Sequence, residues 1–229
     1  MDYKIEKLDK SYGNNIIYEN FSIVFHENHI TCILGPSGCG KTTLLNIIGA
    51  LNKAEKGKLT GFEGKRIAYI FQEQRLLTWK TVRQNIELVI SDLTSKIEKK
   101  QIVDDLLQLV QLSDCSDLYP YQLSGGMSQR VSIARAFAFK PDIILMDEPF
   151  KGLDLKLKNE LFAQFKNILK TDAKTIIFVT HDPDEAIYFG NDIYVFSKNP
   201  VKILGKFSIL EFNNKTTLLE QTLLRLLNE

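Results

Sequence analysis

The chain has 229 residues, of which 44% are hydrophobic and 25% are charged, and its formal net charge at pH 7 is +1. This size and composition suit one large α/β unit or a main domain that carries a sub-domain, and the near-neutral charge gives no electrostatic indication of a nucleic-acid or anionic-membrane surface. The sequence start lacks the apolar core of a signal peptide, and the apolar runs are shorter than the ~18–20 residues that span a bilayer. Cys32, Cys39 and Cys115 lack C-x-x-C spacing, which indicates a reducing compartment and argues against a zinc site.

The predicted elements alternate between strands and helices along the chain. Residues 1 to about 30 alternate apolar and polar side chains around Gly13-Asn14-Asn15, which predicts an antiparallel hairpin. Later apolar runs predict buried strands at 30–34, 67–71, 143–146, 176–180 and 193–196. Several precede helical patterns, as expected of a parallel sheet with helices on both faces. Between about 76 and 138 the periodicity instead predicts helices at 82–90, 97–112 and 126–139, and a last docked amphipathic helix is predicted at 217–227.

A phosphate-binding loop is predicted between the strand at 30–34 and the helix that follows it. The segment Gly35-Pro36-Ser37-Gly38-Cys39-Gly40-Lys41-Thr42, followed by Thr43, matches G-x-x-x-x-G-K-[ST]. Its glycines let the backbone wrap closely around an anion, and the N–H groups of the loop and helix N-terminus point at phosphate oxygens. Lys41 would reach the β- and γ-phosphates and the Thr42 hydroxyl would ligate Mg²⁺. The strand–loop–helix context therefore favours a nucleoside triphosphate site over an accidental glycine-rich turn.

Two carboxylates, Asp147 and Glu148, follow the predicted strand at 143–146. Since the carboxyl ends of parallel strands face the ligand, Asp147 is predicted to hold a Mg²⁺-bound water. Glu148 is predicted to lie within reach of a water that attacks the γ-phosphate. The alternative is a strand end capped by solvated acids, and the phosphate-binding loop in the same chain argues against it.

A second helix N-terminus suited to an anion is predicted at Ser124-Gly125-Gly126. Ser124 is a favourable N-cap residue, and the two glycines leave the first N–H groups of the helix accessible. From these residues alone, the alternative is an ordinary capped helix that does not bind an anion.

Taken in chain order, these motifs resemble those of the nucleotide-binding subunit of ATP-binding cassette (ABC) transporters. The segment LSGGMSQR at 123–130 matches the family signature L-S-G-G-x-x-Q-R. Single residues that match further family positions are Tyr12 of the A-loop, Gln72 of the Q-loop, Asp154 of the D-loop and His181 of the switch. The resemblance covers nearly the whole chain. It implies one ABC ATPase domain over 1–229, with a phosphate-loop NTPase parallel sheet core, an N-terminal antiparallel β sub-domain and an inserted helical sub-domain at about 76–138.

The resemblance also implies roles for these residues in ATP hydrolysis. The Tyr12 ring would stack on adenine, and Gln72 would sense Mg²⁺ and the transport partner. Glu148, Gln72 and His181 would orient the attacking water. The residues themselves agree with this, because Gln72 and His181 each follow a predicted buried strand and so lie at the ligand-facing edge of the sheet.

Each motif occurs once, and this implies a dimer. In the family the signature segment completes the site of the opposing subunit, so two chains enclose two ATP molecules. The simplest assembly is a homodimer, in which the Ser124 hydroxyl and the Gly126 N–H of the other chain help to hold the γ-phosphate. Hydrolysis then opens the dimer.

The segment after Gln72 is the candidate contact surface for a partner protein. In transporter subunits a helix of the membrane partner docks here, and Leu76, Leu77 and Trp79 could form that hydrophobic surface. Packing of these side chains in the core is the alternative.

The segments 71–79 and 195–200 look most like the importer branch for nitrate, sulfonate and taurine, which has relatives for vitamin precursors. Two features depart from that branch: the segment 51–72 is short, and Thr78 stands where proline is common. The resemblance implies an ATPase at the cytoplasmic face of the membrane, peripheral through transmembrane permease subunits. An extracytoplasmic solute-binding protein would be an indirect partner, and nucleic acid would not be one. The alternatives are the ATPase of an exporter or lipoprotein-extraction system, and a soluble non-transport ABC ATPase acting on ribosomes or DNA.

Cys39 lies in the phosphate-binding loop near a helix N-terminus and Lys41, which predicts a stabilised thiolate. Alkylation of Cys39 is then expected to inactivate the ATPase, with ATP protecting it.

Overall fold

The computed structural model describes residues 2–90, 94–171, 174–209 and 216–227. The strands in chain order are β1 (Tyr3–Tyr12), β2 (Asn15–Phe25), β3 (Ile30–Leu34), β4 (Lys56–Thr60), β5 (Ile67–Ile70), β6 (Ile143–Asp147), β7 (Thr175–Thr180), β8 (Asp192–Phe196) and β9 (Ile203–Ser208). The α-helices are α1 (Lys41–Ile48), α2 (Val82–Glu87), α3 (Lys96–Leu109), α4 (Gly125–Ala138), α5 (Leu155–Thr171), α6 (Pro183–Phe189) and α7 (Thr216–Leu227).

A three-stranded antiparallel sheet, in the order β2-β1-β4, contains the N-terminal hairpin. The pairing of Tyr12 with Asn15 closes the hairpin, so the prediction for this region is confirmed. Strand β4 was not predicted from the sequence. Its residues KGKLT are exposed or half-buried and lack apolar alternation, and their strand conformation follows from pairing with β1.

The central sheet has the order β5-β6-β7-β3-β8-β9. The first five of these strands run parallel, and β9 is an antiparallel edge strand. The predicted strands are confirmed, with ends that differ by one residue at most. Because β6, β7 and β3 are neighbours, their carboxyl ends at Asp147, Thr180 and Leu34 lie side by side at one edge of the sheet. The phosphate-binding loop, the two carboxylates and His181 all leave the sheet at this edge.

Helices α2, α3 and α4 lie between β5 and β6 in the chain and pack on one another, with α4 also packed on β5. The three predicted helices are confirmed as elements, but α2 and α3 end three residues earlier than predicted. Both begin with a reciprocal cap, formed by Thr81 with Gln84 and by Ser95 with Glu98.

Buried side chains cover both faces of the central sheet. On one face, α1 packs its leucines and isoleucines against Leu145 and Val179. On the other face, Phe150, Phe162 and Phe189 form a cluster with ring centroids 4.5–5.6 Å apart. Across the described residues, the structure contains no helix with the length and apolarity needed to cross a membrane.

Candidate active site

The loop between β3 and α1 surrounds the side chain of Lys41. The Lys41 Nζ atom donates hydrogen bonds to the carbonyl oxygens of Gly35 at 2.7 Å and Pro36 at 2.8 Å. The residue is only 6% exposed. The backbone of the predicted phosphate-binding loop therefore holds this ammonium group at its centre, and Gly35 and Pro36 take part through their carbonyl groups.

Gly40 is required by the way β2 passes beneath the loop. Its φ is +113°, and a Cβ at this position would lie 2.5 Å from Cγ2 of Ile17. The Tyr18 hydroxyl donates a hydrogen bond of 2.9 Å to the Gly40 carbonyl oxygen. Ile17 and Tyr18 thus shape the loop from below, a role that the sequence did not indicate because the contact joins two distant segments.

Thr42 and Asp147 meet across the mouth of the loop. The Thr42 hydroxyl donates to Oδ1 of Asp147 at 3.1 Å. Burial raises the pKa of Asp147, and the nearby charge of Glu148 adds to this, although the Thr42 hydrogen bond opposes it. A buried carboxylate beside a hydroxyl, both facing the same cavity, is a donor set that suits a hard cation.

Glu148 has a left-handed backbone, with a φ of +46° that a non-glycine residue rarely adopts. Its N–H donates to the Val179 carbonyl at 3.1 Å, which ties this turn to β7. Oε1 lies 3.2 Å from Nδ1 of His181, and Oε2 lies 3.2 Å from Nζ of Lys151. Burial alone would raise the pKa of Glu148, but the contacts with Lys151 and His181 outweigh it and lower the pKa below its usual value.

Lys41, Thr42, Asp147 and Glu148 open into one cavity of about 340 Å³, whereas His181 is not part of its wall. Its wall consists of Tyr12, Ile17, Ser37, Gly38, Gly40, Lys41, Thr42, Thr43, Gln72, Asp147, Glu148 and Lys151. Most of the predicted site residues are therefore brought together from four separate parts of the chain. Ile17 and Lys151 are the wall residues that sequence reasoning missed. The position of Lys151 three residues after Glu148 was the available signal, although that spacing alone does not show which way a lysine points.

Tyr12 is 48% exposed at this wall, so its ring does not pack inside the hairpin. Its hydroxyl accepts a hydrogen bond of 2.9 Å from Nδ2 of Asn52. The Lys10 ammonium group lies 4.9 Å from the ring centroid. The ring is thus held in place while much of its surface stays accessible.

Four of the predicted site residues, all within the described part of the chain, lie outside this wall: Ser124, Gly125, Gly126 and Asp154. Ser124 caps α4 by accepting a hydrogen bond from the Met127 N–H at 3.2 Å, and Gly125 and Gly126 form the first turn. Asp154 accepts a hydrogen bond from the Leu157 N–H at 3.0 Å at the start of α5. Ser124, Gly125 and Asp154 are exposed and Gly126 is half-buried. These four residues are not part of the cavity wall in their own chain.

The prediction of a reactive Cys39 thiolate is wrong. Cys39 is only 2% exposed, and its Sγ packs inward, where a Cβ on Gly35 would lie 3.1 Å from it. Burial raises the pKa of the thiol, and the opposing effect of Lys41 is smaller. The side chain fills space beneath the loop, in the apolar cluster that includes Leu44 and Phe196.

The segment after Gln72 separates into buried and exposed side chains. Leu76 packs against the core, whereas Trp79 is 70% exposed. The buried amide of Asn85 accepts a hydrogen bond from the Leu77 N–H at 2.8 Å and donates to the Leu77 and Lys80 carbonyls. This network fixes the loop in a shape that presents the Trp79 ring on the surface.

Comparison with known proteins relates this chain to a large family. Residues 18–151 match the family described as ABC transporter. The Fe(3+) ions import ATP-binding protein FbpC of Fusobacterium nucleatum is 40% identical over 217 residues, which are 90% of this chain and 58% of the relative. The aliphatic sulfonates import ATP-binding protein SsuB of Bacillus subtilis is 41% identical, over 82% of this chain and 76% of the relative. This chain therefore spans less than two thirds of the iron-import relative and most of the sulfonate-import relative.

The fold of this chain is also similar to that of a solved ABC transporter cassette. The dimeric structure of MJ0796, described as a bacterial ABC transporter cassette, superposes with a TM-score of 0.81 and 30% identity. The match covers 90% of this chain and 98% of that cassette. The same cassette has also been solved as a dimer in a post-hydrolysis state bound to ADP and Pi, with the same TM-score.

Proposed function

This chain belongs to the ABC transporter family of ATPases, and we propose that it is the ATP-hydrolysing subunit of a membrane importer. The observation that carries the proposal is the single cavity into which Lys41, Asp147 and Glu148 open. The names of the iron and sulfonate relatives support import as the direction of transport. The solute we propose is a small anion of the nitrate, sulfonate or taurine type, or a vitamin precursor, on the pattern of residues 71–79 and 195–200.

ATP would occupy this cavity with its phosphates against the loop. The ammonium group of Lys41, which donates to two loop carbonyls, would turn to the β- and γ-phosphates. The exposed ring of Tyr12 would stack on adenine at the cavity mouth. The N–H groups of Gly38 to Thr43 would supply the remaining phosphate contacts.

Mg²⁺ fits the donors at the base of the cavity, since Thr42 and Asp147 offer oxygen atoms already in contact with each other. We assign Thr42, Asp147 and the Gln72 amide to hold it. Bound there, Mg²⁺ would draw negative charge from the phosphates.

Glu148 is the proposed general base. Its carboxylate would take a proton from the water that attacks the γ-phosphorus, and ADP would leave as phosphate forms. Its left-handed backbone and its contact with His181 hold the carboxylate at the cavity wall. His181 and Gln72 would orient the same water.

We also propose that two copies of the chain act together. Ser124, Gly125, Gly126 and Asp154 lie outside the cavity of their own chain, yet three of them belong to the signature motif. A second copy, placed as in the MJ0796 dimer, would use its own signature segment to close this cavity. The single domain over 1–229 and the helical sub-domain at about 76–138 are part of the same proposal.

The exposed Trp79 is the proposed contact with transmembrane permease subunits. A rigid aromatic side chain on a fixed loop is a favourable anchor for a partner helix. Through that contact the chain would sit at the cytoplasmic face of the membrane, and an extracytoplasmic solute-binding protein would select the solute.

An affinity purification tests the transport part of the proposal. A tagged Glu148→Gln chain is expressed in its native host, and detergent-solubilised membranes are searched for proteins that copurify with it. Recovery of a multi-span permease encoded with a solute-binding protein is expected. Recovery of an exporter, or of ribosomal particles alone, would overturn import. Phosphate release from ATP by the purified wild-type chain tests the ATPase separately, with Glu19→Gln, an exposed carboxylate elsewhere, as the control variant.

A further inference from the structure

A network of charged and polar side chains lies beside His181, and its residues are not part of the ATP cavity wall. Lys158 of α5 donates to Oε1 of Glu185 at 2.5 Å, and its Nζ lies 3.5 Å from Oδ2 of Asp182. The Thr180 hydroxyl donates to Oε2 of Glu185 at 2.7 Å. The Asp182 N–H in turn donates to the Thr180 hydroxyl at 3.1 Å. Both residues that flank His181 are therefore tied to the same ion pair.

Glu185 of this ion pair is buried and Lys158 is half-buried, unlike the partners of an ordinary surface pair. Glu185 is 5% exposed, and the Lys158 side chain is 17% exposed. Loss of Lys158 would leave the Glu185 carboxylate buried without its ion-pair partner, which is far more costly than loss of a surface salt bridge. A contact of this kind holds its two elements in one arrangement.

The network connects two elements that both lead to the active site. At one end, Lys158 is in the first turn of α5, and its N–H donates to the Asp154 carbonyl at 3.0 Å. At the other end, His181 lies 3.2 Å from the carboxylate of Glu148. Neither Lys158 nor Glu185 lines the ATP cavity, so they act on the chemistry indirectly, through the backbone between Thr180 and Asp182 and through the start of α5.

We propose that Lys158 and Glu185 are positioning residues that hold the His181 loop against the start of α5. This inference rests on the proposed ATPase function, because His181 acts there on the attacking water. Without the pair, the imidazole loses its fixed position beside Glu148 while the ATP cavity keeps its wall. The pair also gives the Asp154 end of α5 a direct connection to His181.

Enzyme kinetics test the proposal with Lys158→Met, which removes the charge and keeps a long side chain. The kcat for ATP is expected to fall at least about tenfold, since small misplacements of catalytic groups have effects of this size or larger. The KM for ATP is expected to stay within about twofold, because the phosphate contacts remain. Lys158→Arg keeps the charge and is expected to recover most of the kcat. Lys156→Met is the matched control, since Lys156 lies on the same helix with an 87% exposed side chain.

Imidazole NMR provides a readout that needs no turnover. The chain has three histidines, and His26 and His29 are paired with Asp2 and Asp192, away from this network. Lys158→Met is expected to shift the ¹⁵N signals of His181, identified by their loss in His181→Gln, and to leave those of His26 and His29 in place. An unchanged His181 signal together with unchanged kcat would overturn the proposal.

The two proposals fail in different ways. A wild-type chain without ATPase activity would overturn the proposed function, while the NMR signals would still report whether the pair positions His181. If Lys158→Met does not fold, the double variant Lys158→Met/Glu185→Gln replaces it, because it leaves no unpaired buried charge. The double variant is expected to show the same loss of kcat and the same shift of the His181 signals. Absence of both would overturn the positioning role of Lys158 and Glu185.

Discussion

Nδ1 of His181 lies 3.2 Å from Oε1 of Glu148, although the two residues are 33 positions apart in the chain. They meet because β6 and β7 are neighbouring parallel strands and each residue follows the end of its strand. Since the pKa of Glu148 is lowered and its side chain is therefore a carboxylate at neutral pH, Nδ1 is the hydrogen donor in this pair. This contact joins the proposed base directly to the proposed switch residue.

Glu148→Gln is expected to bind ATP but to lose hydrolysis. The amide has the same shape but cannot accept the proton from water, so kcat should fall by about 10²–10⁴-fold. Trapped ATP should then hold two chains together, which size-exclusion chromatography with ATP and Mg²⁺ would detect. A variant that stays monomeric at saturating ATP-Mg²⁺ would contradict the proposed dimer.

Tyr12→Ala is expected to weaken ATP binding by about 1–3 kcal/mol, because it removes an aromatic stacking surface. Tyr12→Phe keeps the ring and loses only the hydrogen bond from Asn52, so its affinity should stay close to that of the wild type. Titration with a fluorescent ATP analogue measures both variants. Equal affinities for the alanine and phenylalanine variants would show that the ring does not contact adenine.

Alkylation is expected to modify Cys115 before Cys39. Only the thiolate reacts, and a raised pKa means a smaller thiolate fraction of Cys39 at any given pH. Cys39 should therefore react slowly at neutral pH and faster as the pH rises, whereas Cys115 is partly exposed. Mass spectrometry after timed treatment with iodoacetamide gives both rates. Rapid, ATP-protected labelling of Cys39 at pH 7 would restore the original expectation.

Trp79→Ser is expected to separate ATP hydrolysis from partner binding. The ring is 70% exposed, so its loss should leave the stability and the ATPase activity of the isolated chain nearly unchanged. Copurification with the permease should be lost, since an aromatic anchor contributes about 2 kcal/mol or more to an interface. Ile97→Ser, at a residue that is 84% exposed on α3, is the control and should copurify normally.

Phe150→Ala is expected to destabilise the fold. Phe150 is fully buried among Phe162, Phe178 and Phe189, and such a truncation costs about 3–5 kcal/mol in the free energy of unfolding. Urea unfolding measures the change. Phe139→Ala, at a residue that is 37% exposed, should have a much smaller effect, and equal losses for the two variants would contradict the assigned role of the cluster.

Much of this protein could be predicted from local patterns in the sequence. The strand at Ile30–Leu34 and the phosphate-binding loop after it were predicted correctly, because a buried apolar run and a glycine-rich loop are determined by neighbouring residues. The position of Asp147, Glu148 and His181 at one edge followed from a general rule about parallel sheets. Strand β4 was missed because its polar residues become a strand only by pairing with β1.

Tertiary structure alone decided which side chains enter the site and which turn away from it. Cys39 lies within the predicted loop yet faces the core, while Lys151, outside any motif, reaches Glu148. Lys158 and Glu185 are 27 positions apart and meet only when α5 packs beside α6. Motifs determine backbone shape over a few residues, whereas the burial, the charge pairing and the pKa of a side chain depend on segments that folding brings together. The sequence by itself therefore determined the family and the elements of the site, and the packing of distant segments decided the electrostatics around them.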